Sequence, residues 1–297
     1  MKKILVIGSA NADLVIRSSR LPALGETVVG EGFSVGAGGK GLNQAVAAKK
    51  LGGDVSFFAM LGNDINGAML KSRLEHFGID FIGREIDGVS TGCAVITVVN
   101  GDNSIVLDAG ANSTLTVDVV NSIEKLIADA DVVMMQYEIP AESIIRIAEI
   151  AKASGTTVIV NPAPFMEMPK EFYGLVDILV PNEYEARDIT GVYPDSEESA
   201  KEALSLLRGL GVGRAVITLG ERGCVYNDMD EAVFRPAIKT KAVDTTSAGD
   251  SFIGALSVRL SMGDEFGCAI DYATRVSSIT VSRAGASDSI PYAEEIE

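Results

Sequence analysis

The chain has 297 residues, 47% hydrophobic and 22% charged, a balance that excludes a disordered polypeptide and suits one large globular domain. Its 41 acidic and 25 basic residues leave a formal charge of −16, which excludes a general affinity for nucleic acid or for an anionic membrane surface. Three scattered cysteines (Cys93, Cys224, Cys268) without a CxxC pair exclude a disulfide framework and a thiolate zinc site, and they fit a reducing cytoplasm; a lone histidine, His76, excludes chemistry that needs two imidazoles.

The apolar run 4–7 stops at Gly8 and reads as a buried parallel strand. It is too short for the core of a signal peptide, and no apolar stretch approaches the ~20 residues of a membrane span. Residues 11–35 are rich in Gly and Val and read as short strands and turns. A glycine cluster at 36–41 leads into a helix that ends at Gly52-Gly53. A strand at 55–61 and an amphipathic helix at 68–77 follow. The runs 93–99 and 104–107, separated by Asn100-Gly101-Asp102-Asn103, read as a hairpin. Short β-branched strands at 132–136, 157–160, 177–180 and 215–218 then alternate with helices at 142–154, 183–190 and 199–210, and two helices at 249–262 and 266–281 close the chain. Such alternation predicts an α/β protein whose mostly parallel sheet is covered on both faces. Residues 11–35 and 93–107 break the alternation and predict a second, smaller sheet outside the main one.

Five clusters are candidates for chemistry. The run from Gly36 to Gly41 formally contains GxGxxG, but it does not follow the first strong strand and has no acid at the usual distance for a ribose; it also lacks the Walker A spacing. It is either a flexible turn or a loop whose backbone closes on a ligand, with Lys40 and Asn43 as polar contacts. At 244–255 a small-residue helix starts at Ser247-Ala248-Gly249-Asp250. Its exposed amides suit an anion. A carboxylate at that spot is sensible if Asp250 takes a proton from an attacking hydroxyl; the rival reading is a simple helix cap. Asn182 and Glu185 follow the strand 177–180, at the strand end where open sheets bind ligands; the acids there are either first-turn helix charges or a carboxylate able to hold magnesium through waters. Thr218 to Gly223 shares that address or is only a turn. Asn11 and Asp13, past the first strand, point the same way and suit sugar hydroxyls; a turn cap is the rival reading.

Taken together, Gly38-Gly39-Lys40-Gly41-Leu42-Asn43-Gln44-Ala45 and Asp244-Thr245-Thr246-Ser247-Ala248-Gly249-Asp250 resemble the two signatures of the ribokinase (phosphofructokinase-B type) family of sugar kinases. The weaker marks Ala109-Gly110-Ala111-Asn112, Asn161-Pro162-Ala163-Pro164, Pro181-Asn182-Glu183, Thr218-Leu219-Gly220 and Gly285-Ala286 agree, so the resemblance covers nearly the whole of residues 1–297. It implies a single-domain three-layer α/β/α fold with a small β-sheet lid, a homodimer through that lid, and transfer of the ATP γ-phosphate to the 5-hydroxyl of D-ribose. By the same resemblance Asp250 is the base, and the amides of Ser247, Ala248, Gly249 and Asp250 form the anion hole. By that resemblance ribose contacts Asn11, Asp13, Gly39, Lys40, Gly41, Asn43 and Glu138, with Asp250 on its reacting hydroxyl. ATP lies along Asn182, Thr218, Leu219, Gly220, Glu221, Arg222, Gly223, Gly249 and Thr274. Glu185 organises Mg²⁺. A monovalent cation, K⁺, sits at Asp244, Thr246, Thr280, Arg283, Gly285 and Ser289.

The chain departs from the family pattern at Leu42, where a small residue would leave a roomier pocket, and at Ser247, where Gly or Ala is usual. Thr274 and Arg275 also differ near the expected adenine. Rival readings are a kinase for deoxyribose, a nucleoside or a hexose, and a sugar-binding module without catalysis. A nicotinamide-dependent oxidoreductase rests only on the lone GxGxxG.

Overall fold

A computed structural model describes residues 2–100, 102–228 and 231–296. Its strands are β1 (Lys3–Ile7), β2 (Asn11–Arg17), β3 (Glu31–Gly38), β4 (Asp54–Phe58), β5 (Met60–Gly62), β6 (Asp80–Phe81), β7 (Arg84–Ile86), β8 (Gly92–Val99), β9 (Asp102–Asp108), β10 (Val132–Gln136), β11 (Thr157–Asn161), β12 (Ile178–Leu179), β13 (Arg214–Thr218), β14 (Cys224–Asp228) and β15 (Glu231–Arg235). The helices are α1 (Lys40–Lys50), α2 (Ile65–His76), α3 (Val117–Ser122), α4 (Glu124–Ala128), α5 (Ala141–Ser154), α6 (Lys170–Tyr173), α7 (Glu183–Thr190), α8 (Glu197–Gly209), α9 (Ala248–Ser261) and α10 (Phe266–Thr280).

Nine strands form one sheet in the order β15-β14-β13-β12-β11-β10-β1-β4-β6. It is parallel from β13 to β6, and β14 and β15 add an antiparallel edge. The period-2 geometry of β1 explains the layering. Ile4 and Val6 enter one core cluster with Val46 of α1, Leu256 of α9 and Ala273 of α10. Leu5 and Ile7 enter the other, with Ile147 of α5 and Leu207 of α8. Helices therefore cover both faces, and the strands read as continuous apolar runs. Truncating a side chain such as Ile147, fully buried here, to Ala costs about 2–5 kcal/mol.

A second sheet has the order β3-β2-β8-β9. This is the small sheet expected from residues 11–35 and 93–107; β2 pairs in parallel with β8, and β8 and β9 form the expected hairpin. Gly101, in that hairpin's turn, lies outside the described residues. Residues 18–30 form no strand.

Two expectations need correction. The strand expected at 55–61 is divided at Ala59: β4 stays in the main sheet, whereas β5 leaves it to pair with β7. The β14–β15 hairpin was not expected, because its polar-rich sequence lacks the unbroken apolar run of a central strand.

Two packing details bear on the site. Helices α1 and α9 cross closely because Gly254 has no side chain: a Cβ there would lie 2.5 Å from the Cβ of Ala47. One turn toward the N-terminus of each helix, the same crossing sets Asp250 against Asn43. At the other end of α1, buried Lys50 donates through Nζ to the carbonyls of Ser287 (3.0 Å), Asp288 (3.3 Å) and Ile290 (2.7 Å).

Candidate active site

The N-terminus of α1 is folded tightly over the end of β1. Gly39 has φ +90°, and a Cβ there would come within 2.9 Å of the Asn11 amide; at Gly41 it would come within 2.6 Å of the Ser9 amide. Only glycine allows that approach. Glu138, just beyond β10, supplies the anion that this helix end favours. Its Oε2 accepts from the Lys40 amide (3.1 Å) and from the Ser9 hydroxyl, which itself accepts from the Gly41 amide (3.2 Å).

Four charges converge on this point. Burial, then the carboxylates of Glu138 and Asp250, push the Asp13 carboxyl from 3.8 up to about 7. Burial works against the charge of Lys40, but the nearby carboxylates of Asp250, Glu138 and Glu185 outweigh it and raise its pKa above the ordinary value. Asp250 is buried in the first turn of α9. Its Oδ2 accepts from Asn43 Nδ2 (3.3 Å) and its Oδ1 from Gln44 Nε2 (3.0 Å). Asn11 is buried beside this cluster with its Oδ1 accepting from Asn112 Nδ2 (2.7 Å). Leu42, by contrast, is fully buried in the hydrophobic core, so its bulk does not narrow the pocket.

Ser247 precedes α9 in the left-handed conformation (φ 60°), which costs a non-glycine residue about 1 kcal/mol or more. That explains why glycine suits the position in the family pattern. The turn aims the first-turn amides of α9 outward, where helical geometry gives them no internal acceptor. The Ala248 amide is the exception, donating to the Thr245 carbonyl (3.3 Å).

Of the expected cation residues, Asp244, Thr246 and Gly285 are joined by hydrogen bonds, while Thr280 closes α10 and Arg283 and Ser289 follow it. Asp244 Oδ1 accepts from the Thr246 amide (2.9 Å) and Oδ2 from the Gly285 amide (3.1 Å), so one carboxylate ties the loop before α9 to the loop after α10. Burial opposes its charge, but these bonds prevail and its pKa is lowered. Backbone carbonyls, one hydroxyl and one carboxylate are hard oxygen donors and fit an alkali cation.

Where the nucleotide is expected, Asn182 caps α7 and forms a β-bridge to Thr218. Both oxygens of Glu185 are held by Asn182: Oε2 accepts from its amide (2.8 Å) and Oε1 from Nδ2 (2.9 Å). Burial, only partly offset by the Asn182 bond and Lys40, raises Glu185 to about 7. Among the described residues no three His, Cys, Asp or Glu side chains form a metal cluster. This donor set fits only a Mg²⁺ held largely by waters and phosphates. Gly220 and Gly223 take positive φ values of 55° and 102° around the turn at 220–222. Leu219 points into the core, so it can offer a ligand only its backbone. Arg222 is pinned to Glu183 Oε1 (2.6 Å) and to the Pro194 carbonyl (2.7 Å). Thr274 Oγ1 donates to the Ile270 carbonyl (2.9 Å), and its side chain neighbours Cys224.

Sequence reasoning missed Ser9, Gln44, Gln136, Asn161 and Lys50. Gln136 carried a usable signal, since it is a polar residue closing an otherwise apolar strand.

The profile of the pfkB carbohydrate kinases matches residues 1–293, and the chain belongs to that family. It is 38% identical over 299 residues to a ribokinase of Staphylococcus aureus, covering 99% of this chain and 98% of the relative. A deoxyribokinase of Salmonella typhi is 32% identical, covering 98% and 96%. The structure of an Arabidopsis thaliana ribokinase complexed with ribose and ATP superimposes with a TM-score of 0.92 at 31% identity, over 99% of this chain and 97% of the other. The fold is accordingly the ribokinase-like α/β fold, and the protein is an ATP-dependent sugar kinase.

Proposed function

We propose that the protein transfers the γ-phosphoryl group of ATP to the 5-hydroxyl of D-ribose, as one catalytic unit spanning residues 1–297. The observation that carries this reading is the Asp250 carboxylate, buried at the N-terminus of α9 and held by Asn43 and Gln44 beside Lys40, Asp13 and Glu138.

Asn11, Asp13, Asn43 and Glu138 orient the sugar, with the backbone of Gly39 and Gly41 leaving room for it. Glu138 has Oε1 left for a hydroxyl, since Oε2 serves Ser9 and Lys40. Asp250 accepts the proton of the 5-hydroxyl as that oxygen attacks phosphorus. The amides of Ser247, Gly249 and Asp250 face the phosphoryl group being transferred, and Ala248 joins them by giving up its bond to Thr245. Lys40 adds positive charge on the same side. ATP runs along Asn182, the 218–223 turn and Thr274. When bound, Mg²⁺ neutralises phosphate charge, with Glu185 holding its waters. Asp244 and backbone oxygens at Thr246, Thr280, Arg283, Gly285 and Ser289 would hold a K⁺, which would add positive charge near the anion-hole amides.

The four-stranded sheet would pair with a second copy. Phe33, Val35, Val95 and Val106 lie exposed on one face of it, an apolar face that a homodimer would cover. No helix among the described residues is long and apolar enough to cross a membrane. The free cysteines support a cytoplasmic setting.

The test is ADP release with ATP and Mg²⁺, in K⁺ and again in Na⁺, across D-ribose, 2-deoxyribose, fructose and nucleosides. Ribose should dominate and K⁺ should exceed Na⁺. Dominant turnover of another acceptor would reassign the Asn11/Asp13 pocket. A rate indifferent to the ion would remove the cation site, and silence across the panel would leave a sugar-binding module.

A further inference from the structure

A chain of buried amides runs behind Asp250. Gln44 and Gln136 are fully buried, and Asn161 nearly so. Gln44 Nε2 donates to Asp250 Oδ1 (3.0 Å) and to Asn161 Oδ1 (3.3 Å). Gln44 Oε1 accepts from Gln136 Nε2 (2.6 Å), and Asn161 Nδ2 donates to the Val180 carbonyl (3.1 Å).

The direction of this chain is set by one group that has no choice. A carbonyl can only accept, and Val180 is fixed by its own amide bond to the Val160 carbonyl (2.8 Å). Asn161 must therefore turn Nδ2 toward Val180 and Oδ1 toward Gln44. Gln44 must then present Nε2, and its two hydrogens meet Asn161 and Asp250. A flipped Gln44 would set its oxygen against two acceptors in a buried site. The Asp250 carboxylate thus has one oxygen fastened by Gln44 and the other by Asn43, which fixes its plane.

We propose that Gln44 is a positioning residue that holds the Asp250 carboxylate in its reactive orientation, with the Val180 carbonyl setting the polarity through Asn161. The proposal rests on Asp250 as the proton acceptor.

The test uses Gln44→Met, Gln44→Glu, Asn161→Leu and Asp250→Asn in the full chain. Turnover with ribose, direct binding of ribose and of ATP by calorimetry, melting temperature and the pH profile of kcat are measured for each. Gln44→Met keeps the volume and removes the donor. It should lower kcat about tenfold to a hundredfold, the scale expected when a reacting group is misplaced, while both ligands bind within about threefold of wild type. Gln44→Glu sets a second carboxylate against Asp250. It should move the acid limb of the profile to higher pH by about one unit or more. Asn161→Leu touches neither Asp250 nor the sugar, and should lower kcat several-fold by freeing Gln44 to turn; it carries the test if Gln44→Met does not fold. If kcat and the profile stay at wild type, or if kcat falls only in step with ligand binding and melting temperature, the proposal is overturned. Near-normal turnover in Asp250→Asn would instead overturn the reading of Asp250 itself.

Discussion

In the nine-stranded sheet, Ile4 and Val6 are sealed under one layer of helices and Leu5 and Ile7 under the other; in the four-stranded sheet, β9 is exposed along its whole length. The first arrangement gives rigid strand ends and helix N-termini, and these carry Asp250, Lys40, Asn43 and Glu138. The second hangs from β1 by three residues and brings Asn11 and Asp13 over the same cleft. Asp250, assigned to the chemical step, thus sits on the element with the most burial, whereas the groups assigned to recognition are divided between that element (Asn43, Glu138) and the less buried one (Asn11, Asp13). Packing that is closed on both faces can hold an atom to a fraction of an ångström.

This division can be broken experimentally. The largest effect is expected at the core. Asp250→Ala should cut kcat by about 10²–10⁴, with ATP binding little changed; turnover near wild type would take Asp250 out of the mechanism.

A smaller, pH-dependent effect is expected on the lid. Burial and the neighbouring carboxylates push Asp13 up to about 7, and the proposed contact with ribose hydroxyls uses its ionised form as acceptor. Ribose affinity should therefore rise as pH increases through about 7, and this slope should be absent in Asp13→Asn. The sign for stability is opposite. The folded state keeps the Asp13 proton between the ordinary value of 3.8 and about 7, so the unliganded protein loses stability as pH rises through that window. An Asp13→Asn variant with an unchanged ribose pH profile would detach Asp13 from the sugar.

The smallest effect on the subunit is expected at Val106, which is 70% exposed. Val106→Lys should convert a dimer to a monomer in sedimentation while changing subunit stability by about 0.5 kcal/mol or less. A wild-type monomer, or a variant that remains dimeric, would remove the lid interface.

The same division governs how much was legible in the sequence. Strands such as β1 and β10 announce themselves because burial on both faces makes their interiors an unbroken apolar run, with polar residues only at their ends. The lid was legible only as a misfit, Gly- and Val-rich segments that broke the strand–helix alternation. The β14–β15 hairpin was hidden because buried β14 carries the polar Asn227 and Asp228, and the edge strand β15 is only partly buried, so neither shows a uniform apolar run. Within the site, Gly39, Gly41 and Asp250 were readable because each does something few other residues can do. The amides behind them were not. A buried glutamine looks like a surface glutamine until its partner is known, and the partner of Gln44 is 206 residues away.

Lys50 adds a mechanical consequence. Helix α1 is 11 residues long, about 16 Å at the usual rise per residue. One end closes over the cleft, and the other plants an ammonium among three carbonyls of the C-terminal loop, with the rings of Phe77 and Tyr292 5.2 and 4.9 Å away. Helix and loop are therefore one strut. The amides of α1 and those of residues 287–290 should exchange with solvent through a shared opening event, so that loosening the loop at 287–290 loosens the floor of the proposed sugar pocket.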